Sequence, residues 1–111
     1  MYIKDFTVKR GETFSKDIYF KVNGKPYNLE GYTAKSQVRP FVESKELIAE
    51  IECTIYNEQG IIHLELPKET TYEIPAGSYY YDLCLSKDDT NIYYLQGSFI
   101  VKKYVTEPPN V

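Results

Sequence analysis

The sequence has no tryptophan, one histidine, one methionine and two cysteines. Each scarcity excludes something. His63 has no cysteine or carboxylate pattern around it at metal-ligand spacing, so no zinc-type site is expected. No Ser–His–Asp order with a supporting motif surrounds it either, and it reads as an outward surface residue rather than a base. The glycines at 24, 31, 60, 77 and 97 are scattered, and none forms a phosphate-cradling loop. Asp88-Asp89 with Asn91 offers too few oxygen donors in pattern for calcium and reads as a hairpin loop. The expectation is therefore a non-enzyme, with no catalytic residue, no metal and no cofactor.

Long hydrophobic runs and blocks of charge are missing as well. No segment is long enough to span a membrane, and residues 1–5 lack the apolar run of a signal peptide. The formal net charge is −3, with both signs interspersed. Without a basic stripe, neither nucleic acid nor a membrane is an expected partner. Synthesis in a reducing cytoplasm follows. Cys53 lies in phase with Ile51 and Ile55, and Cys84 with Tyr80 and Asp82. Opposite facing and compartment both argue for free thiols.

What the chain has in abundance is tyrosine, 12 residues beside 5 phenylalanines. Tyrosine favours strands, and it favours interfaces because it joins an apolar body to a polar tip. The length of 111 residues suits one domain. The stretch from Pro75 to Leu85 organises the chain. Two-residue periodicity sends Tyr79, Tyr81, Leu83 and Leu85 inward, and Tyr80, Asp82 and Cys84 outward.

Other runs alternate in the same way. Phe6 and Val8 face inward. So do Phe14, Ile18, Phe20 and Val22, with Lys16 as the polar intruder. Tyr32, Ala34, Ser36 and Val38 share a face, as do Ala49, Ile51, Cys53 and Ile55, and then Ile62, Leu64 and Leu66. Tyr93, Leu95, Phe99 and Val101 are in phase across Gly97, a bulge or close-packing point. Asn23-Gly24 predicts a type I′ hairpin. Residues 87–91 form a second hairpin loop, and residues 68–74 a connection with one helical turn. These short strands predict an all-β fold, an antiparallel β-sandwich of about seven to nine strands. Residues 1–104 form the single domain and 105–111 an extended C-terminal tail.

Pro75-x-Gly77-x-Tyr79-x-Tyr81 resembles the approach to the F strand of an immunoglobulin-like domain. There a tyrosine hydroxyl bonds back to backbone at the corner between strands. This resemblance implies that the β-sandwich is immunoglobulin-like, and it gives Gly77, Tyr79 and Tyr81 structural roles. Tyr81 stands where antibody domains have cysteine, so the architecture is implied rather than antibody-type membership.

A wider resemblance runs along the chain. It is carried by Arg10-Gly11-Glu12-Thr13-Phe14, by residues 24–33 (GKPYNLEGYT), by Gln37-Val38-Arg39 and by Gly60-Ile61-Ile62-His63-Leu64. Thr70-Thr71, residues 74–83 (IPAGSYYYDL) and Leu95-Gln96-Gly97-Ser98-Phe99-Ile100-Val101 complete it. In this order and spacing the chain resembles a family of small phage and prophage β-sandwich proteins, similar to the N-terminal domain of phage baseplate upper proteins. The resemblance implies a virion structural role in tail or baseplate, made in the host cytoplasm. Its partners would be other phage structural proteins or further copies of itself.

In an immunoglobulin-like sandwich, strands C, F and G are neighbours. Their outward sets here are Lys35, Gln37 and Arg39; Tyr80, Asp82 and Cys84; and Tyr94, Gln96 and Ile100. One reading is a solvated sheet with an Arg39–Asp82 or Lys35–Asp82 pair contributing little. The favoured reading is an interface through Lys35, Gln37, Arg39, Tyr80, Asp82, Tyr94 and Gln96, because tyrosine and arginine are enriched there. Two function classes follow: a virion assembly module acting through protein–protein contacts, and alternatively a glycan or host-surface binding module. The absence of tryptophan tilts the reading toward assembly.

Overall fold

The computed structural model describes residues 2–111. Its strands are β1 (Tyr2–Ile3), β2 (Phe6–Lys9), β3 (Phe14–Tyr19), β4 (Lys21–Val22), β5 (Lys25–Pro26), β6 (Thr33–Arg39), β7 (Ala49–Tyr56), β8 (Ile61–Leu66), β9 (Gly77–Lys87) and β10 (Thr90–Lys102). One short helix, α1 (Lys68–Glu73), joins β8 to β9. The fold is all-β. Eight strands form one sheet in the order β1-β10-β9-β6-β7-β8-β3, with β2 also along β10.

Two details depart from the sandwich expected. The sheet is continuous and curls at β7, which pairs with β6 through Ala49–Ile51 and with β8 through Glu52–Tyr56. Its two halves close on a shared core instead of being separate sheets. It is also not wholly antiparallel, because β1 and β2 both run parallel to β10.

The alternating residues build that core. Val38, Ile62, Leu64, Leu83 and Phe99 are completely buried. Phe14 of β3 meets Phe99 of β10 at 5.0 Å and Phe6 of β2 at 5.2 Å, edge to face, which closes the curl. Leu29 and Ile74 join the core from connections, where no periodicity announces them. Lys16 lies in the core-facing phase of β3 yet stays exposed. β3 ends the sheet order, and a charge on the inward side of an edge strand blocks pairing with another chain.

Three local corrections follow from the chain's geometry. The alternation read from Phe14 through Ile18 and Phe20 to Val22 does not make one strand, since β3 ends at Tyr19. Lys21–Val22 instead forms a hairpin with Lys25–Pro26, and Val22 is exposed. That hairpin turns on Asn23 and Gly24, both at positive φ. The loop predicted over 87–91 is shorter, since Asp88 and Asp89, at φ 50° and 62°, make a two-residue turn between paired Lys87 and Thr90. The third correction reaches the candidate site. Tyr93 pairs with Cys84 and Leu95 with Leu83, so Tyr94 is an inserted residue at a β-bulge. The bulge turns Tyr94 inward, against Phe20 at 4.4 Å and Tyr2 at 5.0 Å, and turns Tyr93 outward. Tyr94 is therefore not an outer-face residue.

Segment 105–111 carries no strand, but it folds back on the domain. The Pro108 ring lies against Gly11, in the turn between β2 and β3. Just before it, Tyr104 stacks on Tyr72 of α1 at 6.1 Å and 7°. The Arg10 guanidinium faces both rings and donates to the Tyr72 carbonyl oxygen from Nε (3.1 Å) and Nη2 (2.6 Å).

Candidate functional site

The hydrogen-bonding register of β10, β9 and β6 sets three rows across their outer face. Ser98, Tyr80 and Arg39 form one; Gln96, Asp82 and Gln37 the next; Tyr93, Cys84 and Lys35 the third. Alternation puts the three residues of each row on the same face. Together they line a hollow of about 730 Å³. Tyr80 and Tyr93 are 43% and 53% exposed. They sit at opposite ends of the rows, four residues apart along β9, or roughly 13 Å.

Between the tyrosines the face is polar. Arg39 donates to Gln37 Oε1 at 2.7 Å and to the Ser44 carbonyl oxygen at 3.4 Å. It is thus held by its own strand and the following loop, not by a direct pair with Asp82. Partial burial raises the Asp82 carboxyl above its ordinary range, and the Arg39 charge offsets part of that rise. Asp5 reaches the same hollow and accepts from the Ser98 amide at 2.9 Å.

Of the predicted interface residues, Lys35, Gln37, Arg39, Tyr80, Asp82 and Gln96 meet in this hollow, and Tyr94 does not. Tyr93 replaces it, and Asn91 and Ser98 join it. The signal for the exchange was Ile92-Tyr93-Tyr94-Leu95. Four consecutive apolar residues break the polar–apolar alternation there, which marks the place where the register shifts.

The structural residues behave differently from one another. Tyr79 donates its hydroxyl to the Pro75 carbonyl oxygen at 2.6 Å, closing the corner ahead of β9. Tyr81 is buried, and its hydroxyl donates to the Lys4 carbonyl oxygen at 2.6 Å. Burial, then the nearby Asp5 charge, pushes its phenol far above the usual range. Gly77 is less constrained than the motif suggests. A Cβ there would meet only the Tyr79 ring, at 3.8 Å. Gly97 is the confined glycine: a Cβ there would run into the Lys4 carbonyl.

On the other outer face, His63 is more engaged than a plain surface residue. Nδ1 meets Asp17 Oδ1 at 2.6 Å, while Nε2 meets Glu65 Oε1 at 3.1 Å and Ser15 Oγ at 3.3 Å. Hydrogen bonds to Asp17 and then Glu65 raise its pKa above the ordinary value. With a carboxylate on each ring nitrogen, the imidazolium is favoured and keeps no lone pair for the Ser15 proton. Ser15, His63, Asp17 and Glu65 therefore form one hydrogen-bonded cluster on this face. Among the described residues, no group of three or more histidine, cysteine, aspartate or glutamate side chains is placed to hold a metal ion. Both cysteines are free thiols. Burial, with a smaller contribution from Glu50, pushes the Cys53 thiol up to about 11, away from the reactive thiolate.

No family model matches the chain, and no curated protein matches it. Among solved structures, the GspB Siglec domain is similar over 96% of this chain and 58% of that one, with TM-score 0.56 and 15% identity. A family 123 glycoside hydrolase from Clostridium perfringens is similar over 95% of this chain and 23% of that one, with TM-score 0.54 and 16% identity. The N-terminal domain of phage TP901-1 ORF48 aligns over 93% of this chain and 100% of that one, with TM-score 0.49 and 14% identity. At such identities the Siglec and hydrolase likenesses concern the fold alone.

Proposed function

We propose that this chain is a non-enzymatic assembly module of a phage or prophage tail or baseplate. It docks to neighbouring virion proteins through the hollowed outer face of β6, β9 and β10. The ordered sequence resemblance along the chain supports the virion setting. One observation carries the docking face: two half-exposed tyrosines flank a polar row built on the partly buried Asp82. Covering the exposed half of a ring, roughly 100 Å², gains about 2–3 kcal/mol at ~25 cal/mol per Å² before ordering costs. Arg39 and Lys35 at the rim set register more than strength.

A second reading, a saccharide ligand, is favoured by the lining itself. Gln37, Gln96 and Asn91 bring planar amides, and Asp82 a carboxylate, between two rings. The absence of tryptophan weighs against it.

The deciding experiment is Tyr80→Ser with Tyr93→Ser. The folded variant should fail to enter particles when it replaces the natural chain. Normal incorporation would remove this face as the assembly surface. Normal incorporation with lost binding to host-surface saccharide would establish the second reading instead.

A further inference from the structure

We propose that the turn between β2 and β3, together with α1, is a binding cradle for an extended Tyr-x-x-x-Pro-Pro segment. The chain's own residues 104–109 fill it, and a segment of the same kind from a neighbouring protein takes their place when they lift away. The cradle uses none of the residues that line the hollow, so it is a second surface, independent of the docking face argued above.

The cradle is held together by bonds that do not involve its guest. The buried Thr71 hydroxyl donates to the Glu12 carbonyl oxygen at 2.7 Å and accepts from the Gly11 amide at 3.1 Å. The Arg10 amide donates to the Lys102 carbonyl oxygen at 3.0 Å, and its guanidinium holds the Tyr72 carbonyl oxygen. Turn, helix and the end of β10 are thereby fixed to one another.

The guest is held differently. Among the described residues, no backbone hydrogen bond reaches residues 103–111. Only Tyr104 and Pro108, four residues apart, are partly buried there, and Val105 between them is 97% exposed. Tyr104 stacks on Tyr72 beside the Arg10 guanidinium. Pro108 rests on Gly11, where a Cβ would collide with its ring, and Tyr72 Cδ1 lies 3.6 Å from that Cβ position. Gly11, at φ 87°, is thus both a turn residue and the floor of the cradle.

This chemistry selects proline. Its ring has no N–H to leave unpaired when it packs on backbone. Its φ is fixed, and Pro109 after it confines ψ to the extended region. Ordering such a segment costs little, which is why aromatic-lined grooves recognise proline-rich peptides. A segment anchored by two side chains and no ladder opens readily. The cradle keeps its own bonds when that happens, and it then presents a ring, a cation and a bare glycine to any segment with the same spacing.

Fluorescence anisotropy with a labelled peptide of residues 102–111 tests this on three whole chains. They are the natural chain, an unlatched variant (Tyr104→Ser, Pro108→Ala) and the unlatched variant with Tyr72→Ser added. The peptide should bind the unlatched chain saturably. It should bind the natural chain at least about tenfold more weakly, because the tethered segment competes at high effective concentration. Tyr72→Ser should abolish binding, and so should Pro108→Ala in the peptide. Melting curves certify folding, and Pro108→Ala alone is the second unlatched chain if the double change does not fold. No binding to a folded unlatched chain overturns the proposal. So does equal binding to the natural chain, and so does binding that survives either Tyr72→Ser or the loss of Pro108 from the peptide.

Discussion

Tyr81 donates its hydroxyl to the carbonyl oxygen of Lys4 at 2.6 Å. Directly opposite Tyr81 on β10 lies Gly97, whose missing side chain gives that same Lys4 peptide its space. The link between β1 and β2 is therefore fixed from two sides. Removing the hydroxyl with Tyr81→Phe should cost about 1 kcal/mol, the net value of such a bond. Adding a methyl with Gly97→Ala should cost about 1–3 kcal/mol, because backbone must move. Denaturant titration of both variants checks the pair, and a neutral Gly97→Ala would refute the close approach.

Leu83 is fully buried at the middle of β9. Leu83→Ala should destabilise by about 2–5 kcal/mol, the sum of lost transfer energy and a residual cavity. Calorimetry reads this directly, and a loss under 1 kcal/mol would mean that the core collapses around the gap.

These burials were legible in sequence because a half-buried strand must alternate, and Phe14, Ile18, Val38, Leu64, Leu83 and Phe99 do. The outward faces were legible for the same reason: Lys35, Gln37 and Arg39 on β6, Tyr80 and Asp82 on β9. Their rows were not, because alternation fixes a face and not a register, and Asp82 stands opposite Gln37 rather than Arg39 or Lys35. Alternation fails wherever one residue is inserted. Tyr94 is that residue, and its insertion exchanged two tyrosines between core and solvent. Leu29 and Ile74 pack from irregular segments that no period describes. The Asp17–His63–Glu65 cluster joins β3 to β8 over more than 40 residues of chain, and a single strand's pattern carries no information about such a meeting.

His63 should titrate above its ordinary value of 6.5. The folded pKa is raised, so the cluster's contribution to stability is fully present below about pH 6.5. It is lost as pH rises through the folded value. The change in melting temperature should be small, since exposed ion pairs are weak. Proton NMR titration checks the midpoint, and Asp17→Asn should lower it. A natural-chain midpoint at or below 6.5 would contradict the cluster.

Arg10 binds the Tyr72 carbonyl oxygen and faces the stacked Tyr72 and Tyr104 rings. Arg10→Ala should loosen the segment after β10 while leaving the core intact. Limited trypsin digestion should then cut faster at Lys103, with little change in melting temperature. An unchanged cutting rate would show that Pro108 on Gly11 suffices.

The parallel pairing of β1 and β2 with β10 has a mechanical meaning. Tyr2 lies beside Leu95 at one end of the pair, and Lys9 beside Lys102 at the other. Tension applied between residues 2 and 102 runs along these strands in opposite senses. It shears their hydrogen bonds together instead of peeling them one by one. A domain strung on a line of force in this way resists pulling with the whole ladder at once.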